Sequence, residues 1–184
     1  MKKESNLKYV ARLTLTLLLI ATVVAAALAV VNQITEPIIQ RVNAEKTQKA
    51  IEIVLPGGYE EEITDYADAS GIVSKVYKGA NGYALEVSPA GFDNTITMMV
   101  GVDLEGKVLG ISVVSHTKSA GLGAVAASSN SAGQAFRDQF IGLSGNILVS
   151  KDGGTVDAIT NATVTSRAIC DGVNAALDCV AGLQ

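Results

Sequence analysis

The sequence predicts an α+β protein in which one N-terminal transmembrane helix is followed by an extracytoplasmic domain, built on an antiparallel sheet with packed helices. Three observations support this fold class: a long apolar run near the N-terminus, a series of short β-type runs, and an amphipathic pattern near the C-terminus. The chain has 184 residues, of which 48% are hydrophobic and 17% are charged. That length leaves room for one domain of roughly 100–150 residues and a short appendage.

The apolar run extends from Leu13 to Val31 and contains no charged residue, proline or glycine. Its length is close to the roughly 20 residues that an α-helix needs to cross the hydrocarbon core of a bilayer. Basic residues outnumber acidic ones ahead of it, so the positive-inside rule places residues 1–12 in the cytoplasm and the rest of the chain outside. A cleaved secretory signal is the alternative, because Ala27-Leu28-Ala29 resembles a cleavage site. The run is longer than the apolar core of a usual signal, which favours a retained transmembrane helix at residues 13–31.

Residues 32–58 are predicted to form a stalk helix, and residues 59–184 the extracytoplasmic domain. Thr35-Glu36-Pro37 has the composition of a helix start, since proline is tolerated in the first turn. Pro56-Gly57-Gly58 is expected to end the helix near Leu55. Apolar residues gather at the two ends of this stretch, which indicates a stalk that docks onto the domain.

Four β-type runs follow an acidic, loop-like stretch at residues 59–71. Asp103-Leu104-Glu105-Gly106 has the composition of a hairpin turn between the last two runs, so the sheet is predicted to be antiparallel. The four runs are Ile72 to Lys78, Tyr83 to Ser88, Asn94 to Val102 and Lys107 to Ser115.

The second half of the domain is predicted to contain a helix near Ser131–Phe140, a strand at Asn146–Ser150 and a final helix. Two patterns assign faces to these elements and to the last β-type run. In the last β-type run, alternation places Leu109, Ile111 and Val113 on one face of the sheet. It places Val108 and Val114 on the other face. The final helix carries one apolar stripe, formed by Ile169, Val173, Ala176, Leu177 and Val180.

Two cysteines, one histidine and a net charge of -4 exclude several classes of function. So few cysteine and histidine residues cannot supply a zinc cage, and no metal site is predicted. The exported part is more acidic than the whole chain, which makes it unsuited to binding nucleic acid or an anionic lipid surface. Its expected partners are therefore proteins and small molecules, with the membrane holding the N-terminal helix.

The glycine-rich loop after the last predicted strand is the first candidate site. It contains His116, Lys118 and the run Gly121-Leu122-Gly123. Small residues at a strand end let the backbone approach a ligand and leave N–H groups free to donate. A mobile glycine loop with His116 as an ordinary polar residue is the alternative, and this segment by itself favours that alternative.

The second candidate site runs from Asp157 to Ser166, directly into the final helix. A helix N-terminus presents unpaired N–H groups and the positive end of a dipole, which together suit a phosphate. Hydroxyls lie at that position in the sequence, on Thr160, Thr163, Thr165 and Ser166. Capping of the helix is the alternative, although one cap needs only one hydroxyl.

The residues Asp157-x-x-Thr160-Asn161-Ala162-Thr163-x-Thr165-Ser166 resemble a motif of the FMN-binding domain family, D-x-x-[ST]-G-A-[ST]-x-[ST]. In that family a flavin transferase joins FMN to the last Thr or Ser of the motif by a phosphoester. The resemblance therefore implies one covalent FMN per chain at Thr165. It also implies phosphate hydrogen bonds from Thr163 and Ser166, with Thr160 and Ala162 as further site residues. Asn161 replaces the family's glycine, and asparagine is the residue next best able to adopt positive φ.

The loop His116-x-Lys118-Ser119-Ala120-Gly121-Leu122-Gly123 resembles the family's H-x-E-T-P-G-L-G sequence, and the resemblance covers roughly residues 80–180. It implies contact between Gly121-Leu122-Gly123 and the isoalloxazine ring. His116 and Lys118 are implied site residues by the same comparison. Lys118 reverses the charge of the family's Glu, which implies an effect on the flavin potential.

A single span ahead of a short exported domain is similar to the arrangement in the G subunits of Rnf ferredoxin:NAD oxidoreductase complexes. The C subunits of sodium-translocating NADH:quinone reductases are a second choice. This resemblance implies an electron-transfer subunit of a membrane-bound, ion-translocating oxidoreductase complex, with the other membrane subunits and the flavin transferase as partners. The alternative is an anchored, non-redox module that binds a ligand or scaffolds a complex. No nucleophile and base pair is evident in the sequence, so catalytic residues are not predicted and the redox chemistry is assigned to the cofactor.

Overall fold

The computed structural model describes residues 2–91, 95–116, 124–128 and 130–183. The chain divides into two compact units, Met1–Glu45 and Lys46–Gln184. Helices and a five-stranded antiparallel sheet make up the structure, which confirms the predicted α+β class.

The first unit belongs to one long helix, α1, which extends from Lys2 to Val54. The prediction that a separate stalk helix begins at Thr35 is therefore wrong, and Pro37 lies inside α1. A proline inside a helix removes one backbone hydrogen bond, at a cost of about 3 kcal/mol, which the flanking turns of a helix this long offset. The side chain of Gln40 donates to Glu36 Oε1 at 3.1 Å across the proline. Within the described part of the chain, α1 contains the single stretch that is long and apolar enough to cross a membrane, between Lys8 and Val54.

The end of α1 agrees with the sequence prediction, since the helix stops at Val54 just before Pro56-Gly57-Gly58. Both glycines adopt positive φ, at 106° and 74°, and Gly58 N–H donates to Leu55 O at 3.0 Å. Buried side chains of the last turns of α1 pack on one face of the sheet. They are Ala50, Ile51, Val54 and Leu55, which contact Tyr77, Ala84 and Met99.

The sheet consists of five strands, each antiparallel to its neighbour and arranged in chain order: β1 (Glu61–Ile63), β2 (Val73–Gly79), β3 (Gly82–Val87), β4 (Ile96–Asp103) and β5 (Val108–His116). The acidic stretch predicted as a loop contains β1, a strand of three residues at the edge of the sheet. In the β4–β5 hairpin, Asp103 Oδ1 accepts hydrogen bonds from the Glu105 and Lys107 N–H groups at 2.9 and 2.8 Å, as expected for the predicted turn.

Two bulges in β5 change the faces that simple alternation predicted. The register shifts between Gly101 and Val102, where Leu109 is the extra residue of β5, and again between Thr97 and Met98. Val108 therefore lies on the same face as Ile111 and Val113, while Leu109 joins Val114 on the face that packs against α1. A bulge inserts one residue into a strand and so exchanges the faces beyond it.

The opposite face of the sheet packs against the C-terminal helix and forms the main hydrophobic core. The predicted stripe is confirmed, because its five residues Ile169, Val173, Ala176, Leu177 and Val180 are all buried. A short helix after β5, α2 (Ala124–Ala127), precedes α3 (Ser131–Asp138), and the chain ends with α4 (Thr163–Ala181). Phe136 and Phe140 anchor the end of α3 in this core, with ring centroids 5.4 Å apart.

The predicted strand at Asn146–Ser150 is wrong. This stretch forms one isolated parallel bridge, between Val149 and Val156, followed by a 3₁₀ turn at Ser150–Asp152. The side-chain amide of Asn174 on α4 accepts from the Ile147 N–H at 2.8 Å and donates to the Ile147 carbonyl at 2.9 Å. That amide satisfies the backbone groups that a neighbouring strand would otherwise bond.

Cys170 and Cys179 lie on one helix nine residues apart, and the sequence predicts that they cannot bridge, because about 13 Å of helix rise separates them. Both thiols are free and buried in the structure. Burial raises the pKa of Cys170 to about 12 and also raises the pKa of Cys179.

We expect both thiols to resist alkylation in the native protein and to react after denaturation, since the thiolate is the reactive form. A thiol whose pKa is higher in the folded than in the unfolded state stabilises the fold at pH values below its unfolded-state pKa. This stabilisation is lost as the pH rises towards the folded-state pKa. The free energy of unfolding should therefore fall between pH 9 and about 12. Urea titrations across that range, with mass spectrometry of alkylated samples, check both results. Rapid alkylation at neutral pH without denaturant would contradict the burial.

Candidate functional site

The candidate site is the start of α4, where the helix begins without a side-chain cap. Ala162 occupies the capping position with φ -127° and ψ 36°, and its methyl group cannot accept a hydrogen bond. Thr163 is the first residue of the helix and Thr165 the third. The first N–H groups of a helix have no partner within it. The structure thus disfavours the capping alternative and leaves a positive helix end whose first N–H groups have no partner among the described residues.

Thr165 is buried beside this helix end, with 8% of its surface exposed. Its hydroxyl forms no hydrogen bond with the residues that the structure describes, whereas the hydroxyls of Thr163 and Ser166 both do. Among the described residues no side-chain oxygen that is itself buried lacks a hydrogen-bond partner, so the Thr165 hydroxyl is accessible to solvent and a ligand atom can reach it. Of the three hydroxyls in the first turn of α4, the one on Thr165 is therefore the one left for a ligand.

Lys151 lies against the first turn of α4, and its ammonium donates to the Thr163 hydroxyl at 3.2 Å. The 3₁₀ turn that carries it is fixed by a two-pronged ion pair between Arg167 and Asp152, at 2.6 and 2.7 Å. The Arg167 guanidinium lowers the pKa of Asp152, so the carboxylate stays ionised. A cation beside the positive end of a helix dipole is unfavourable by itself and favourable when an anion lies between them.

Ser166 stabilises the turn before α4 through the hydrogen bonds of its side chain. Its side chain is fully buried, donates to the Ala162 carbonyl at 3.1 Å and accepts from the Ile159 N–H at 3.0 Å. Its proton is therefore already committed within the chain. The geometry makes Ser166 a support for the turn at residues 159–162 and disfavours the expected hydrogen bond to a phosphate.

The turn before α4 depends on Asn161, which has φ 61° and is the one non-glycine residue with positive φ in the described part of the chain. This agrees with the expectation that asparagine here replaces a glycine of positive φ. Ala162 N–H donates to the Ile159 carbonyl at 2.9 Å and closes the turn. The side chains of Thr160 and Asn161 are exposed, and Ala162 is buried.

We expect Asn161→Gly to preserve this turn, because glycine adopts positive φ without strain. Asn161→Ala should lower the free energy of unfolding by about 1 kcal/mol, since a Cβ disfavours the left-handed region. Urea unfolding of the two variants checks the difference. Equal stabilities would mean that the turn has relaxed out of this conformation.

Of the predicted site residues in the glycine-rich loop, the structure describes only His116. His116 ends β5 and pairs through its backbone with Ile96. The other predicted site residues of this loop, Lys118, Gly121, Leu122 and Gly123, lie outside the described residues.

Two residues near the site carry no signal in the sequence. Lys151 lies twelve positions before Thr163, and Gln139 contacts the backbone of Asp157 through both ends of its amide, at 2.7 and 3.3 Å. Neither belongs to a recognisable local pattern, because their roles depend on contacts between distant parts of the chain.

The chain matches two protein families. Residues 91–178 match the FMN-binding domain, and residues 1–54 match the N-terminal region of RnfG proteins. The FMN-binding match includes the start of α4 and the loop after β5.

Relatives match over most of the chain. It is 29% identical to the G subunit of the ion-translocating oxidoreductase complex of Methanosarcina acetivorans, over 98% of this chain and 99% of the relative. It is 29% identical to the G subunit of the Na(+)-translocating ferredoxin:NAD(+) oxidoreductase complex of Acetobacterium woodii, over 94% and 92%. The G subunit of the ion-translocating oxidoreductase complex of Pseudomonas aeruginosa is 31% identical, over 90% and 86%.

Proposed function

Since the chain belongs to the family of G subunits of ion-translocating oxidoreductase (Rnf) complexes, we propose that it carries one FMN, covalently attached at Thr165, and transfers electrons within such a complex. Family membership supports FMN binding and electron transfer in an oxidoreductase complex. The covalent bond to the Thr165 oxygen and the number of one FMN per chain are what we propose in addition.

The observation that carries the proposal is the uncommitted hydroxyl of the buried Thr165 at an uncapped helix start. These residues fit a phosphate diester. Helix N–H groups and the Lys151 ammonium supply donors of the right charge, and the hydroxyl supplies the oxygen to be esterified. Thr163 would keep Lys151 in place through its hydroxyl, and Ser166 would hold the turn.

Attachment would be a phosphoryl transfer in which the Thr165 oxygen would bond to the flavin phosphorus and its proton would pass to a base of the transferase. With a flavin dinucleotide as donor, the pyrophosphate bond breaks and a nucleoside monophosphate leaves. The product differs in mass from the unmodified chain by one FMN less one water. We propose a flavin transferase as the catalyst of this step, because no basic side chain among the described residues accepts a hydrogen bond from the Thr165 hydroxyl.

When bound, FMN accepts and donates electrons, and the chain supplies its position and electrostatic surroundings. Covalent attachment suits an extracytoplasmic location, where a dissociated flavin would be lost. The other membrane subunits of the complex are the proposed electron-transfer partners. The loop with Lys118 and Gly121-Leu122-Gly123 is proposed to lie beside the flavin ring, by resemblance alone.

We propose that α1 crosses the membrane once, with residues 1–12 in the cytoplasm and the domain outside. The expected result is that protein isolated from membranes keeps its N-terminal residues, because the apolar stretch is too long for a signal core. N-terminal sequencing checks this. A mature sequence that begins near Val30 would establish cleavage and contradict the anchor.

The experiment for the proposed function compares the full chain purified from cells with and without a flavin transferase. We expect yellow protein, fluorescent in a denaturing gel and heavier by one FMN less one water, only when the transferase is present. Colourless protein of unmodified mass in both preparations would overturn the proposal and favour the anchored non-redox module.

A further inference from the structure

The end of α3 holds the segment that leads to Thr165. Gln139, which closes α3, accepts a hydrogen bond from the Asp157 N–H at 2.7 Å and donates through Nε2 to the Asp157 carbonyl at 3.3 Å. One side-chain amide therefore binds both polar groups of one backbone residue. The two residues are 18 positions apart in sequence, so this contact joins separate parts of the domain.

The backbone of Gln139 is itself firmly held. Phe136 and Phe140 on either side of it are buried in the core, and their rings pack edge to face. Arg137 donates through Nη1 to the carbonyls of Ala126 and Ser128, at 2.6 and 3.0 Å. The end of α3 is thus fixed to the core and to the segment after β5, which makes Gln139 a rigid anchor.

The stretch from Asp157 to Ala162 is only partly held by apolar contacts: Ala158 and Ile159 pack against the core, and Ala162 is buried. Asp157, Thr160 and Asn161 are exposed, and Asn161 adopts a conformation that favours glycine. Ser166 holds the downstream end through the Ile159 N–H, and Gln139 holds the upstream end. Helix α4 is held separately by its buried stripe. Val156, just upstream, is held by backbone hydrogen bonds to Leu148 and Ser150, and Gln139 adds the contacts that fix the next residue, the exposed Asp157.

We propose that Gln139 is a positioning residue for flavin attachment: by fixing the Asp157 backbone, it keeps the stretch 157–162 in the path that leaves the Thr165 hydroxyl open to the flavin nucleotide and the transferase. The proposal rests on the proposed function. Small displacements of reacting groups cost large factors in rate, so the loss of one anchor should slow attachment even when the fold persists.

The test measures the initial rate of flavin attachment to the full chain in detergent, with limiting flavin transferase and a flavin dinucleotide. Gln139→Leu removes both hydrogen bonds, and Gln139→Glu keeps the acceptor for the Asp157 N–H but loses the donor. Gln134→Leu is the matched control, since Gln134 is an exposed glutamine on the same helix. Ile169→Val lowers stability from within the core and controls for a purely structural effect.

We expect Gln139→Leu to slow attachment about tenfold and Gln139→Glu to give an intermediate rate, with both controls at the wild-type rate. The intermediate rate keeps the test decisive if Gln139→Leu fails to fold. A wild-type rate for Gln139→Glu and Gln139→Leu overturns the positioning role and leaves the proposed function standing. Equal slowing by Ile169→Val also overturns it, because stability alone would then explain the rate. A wild-type chain that takes no flavin overturns both proposals.

Discussion

Thr165→Val is expected to abolish covalent FMN while the domain still folds. The substitution keeps the branched shape of the side chain and removes the one atom that can be esterified. Because the hydroxyl has no hydrogen-bond partner among the described residues, its loss should change the free energy of unfolding by less than about 1 kcal/mol. Fluorescence in a denaturing gel and the intact mass, measured on chains purified with the transferase present, check the loss.

Thr163→Val is the comparison variant, since it removes a hydroxyl two residues away that accepts from Lys151 and leaves the Thr165 oxygen in place. This variant should still acquire covalent flavin, more slowly because Lys151 loses its partner, and Thr165→Ser should keep part of it because the nucleophilic oxygen remains. Fluorescence of the Thr165→Val chain after denaturation would identify another hydroxyl as the attachment site.

Gly101→Ala is expected to lower the free energy of unfolding by about 1–3 kcal/mol, because the added methyl has no space. A Cβ at Gly101 would collide with the Val54 carbonyl oxygen and lie 2.8 Å from its carbon and 3.0 Å from the Val54 Cβ. These are mostly backbone atoms at the end of α1, so relief requires the last turn of α1 to move off the sheet. Urea unfolding of the full chain in detergent measures the loss.

Gly110→Ala is the control for this prediction. Gly110 pairs directly with Gly101 across β4 and β5, yet a Cβ there would approach only the Val54 Cα, at 3.8 Å. We expect this variant to be as stable as the wild type or slightly more stable, since alanine restricts the unfolded chain more than glycine. Similar losses for both variants would show that α1 does not pack this closely on the sheet.

The elements predicted correctly have strong local signals. The strands from β2 to β5 follow short runs of β-forming residues between turns, and α4 follows an apolar stripe of helical period. The errors occur where local signals are ambiguous. Pro37 favours a helix start in the sequence, although a long helix can contain a proline. Alternation places Leu109 on the face of Ile111, but a bulge interrupts the alternation.

For the candidate site, the resemblance of the motif predicts Thr165 as the attachment residue, and this stays a prediction. The same motif predicts positive φ at Asn161, which the structure confirms, because the order of residues along a short segment determines that turn. The internal role of Ser166 could not be inferred, since its partners depend on how the turn folds back on the helix. Lys151 and Gln139 come from other segments, and only the packed domain brings them to this helix end.

By itself the sequence determined the apolar span, the class of the fold and the stripe of α4, and its motif predicts Thr165 as the attachment residue. Each of these is encoded in a local period or in a contiguous motif. Only the tertiary structure decided two side-chain contacts with the backbone. The amide of Asn174 binds the backbone of Ile147, and the amide of Gln139 binds the backbone of Asp157. These amides contact backbone groups 27 and 18 residues away, and contacts at that distance depend on the packing of the whole domain.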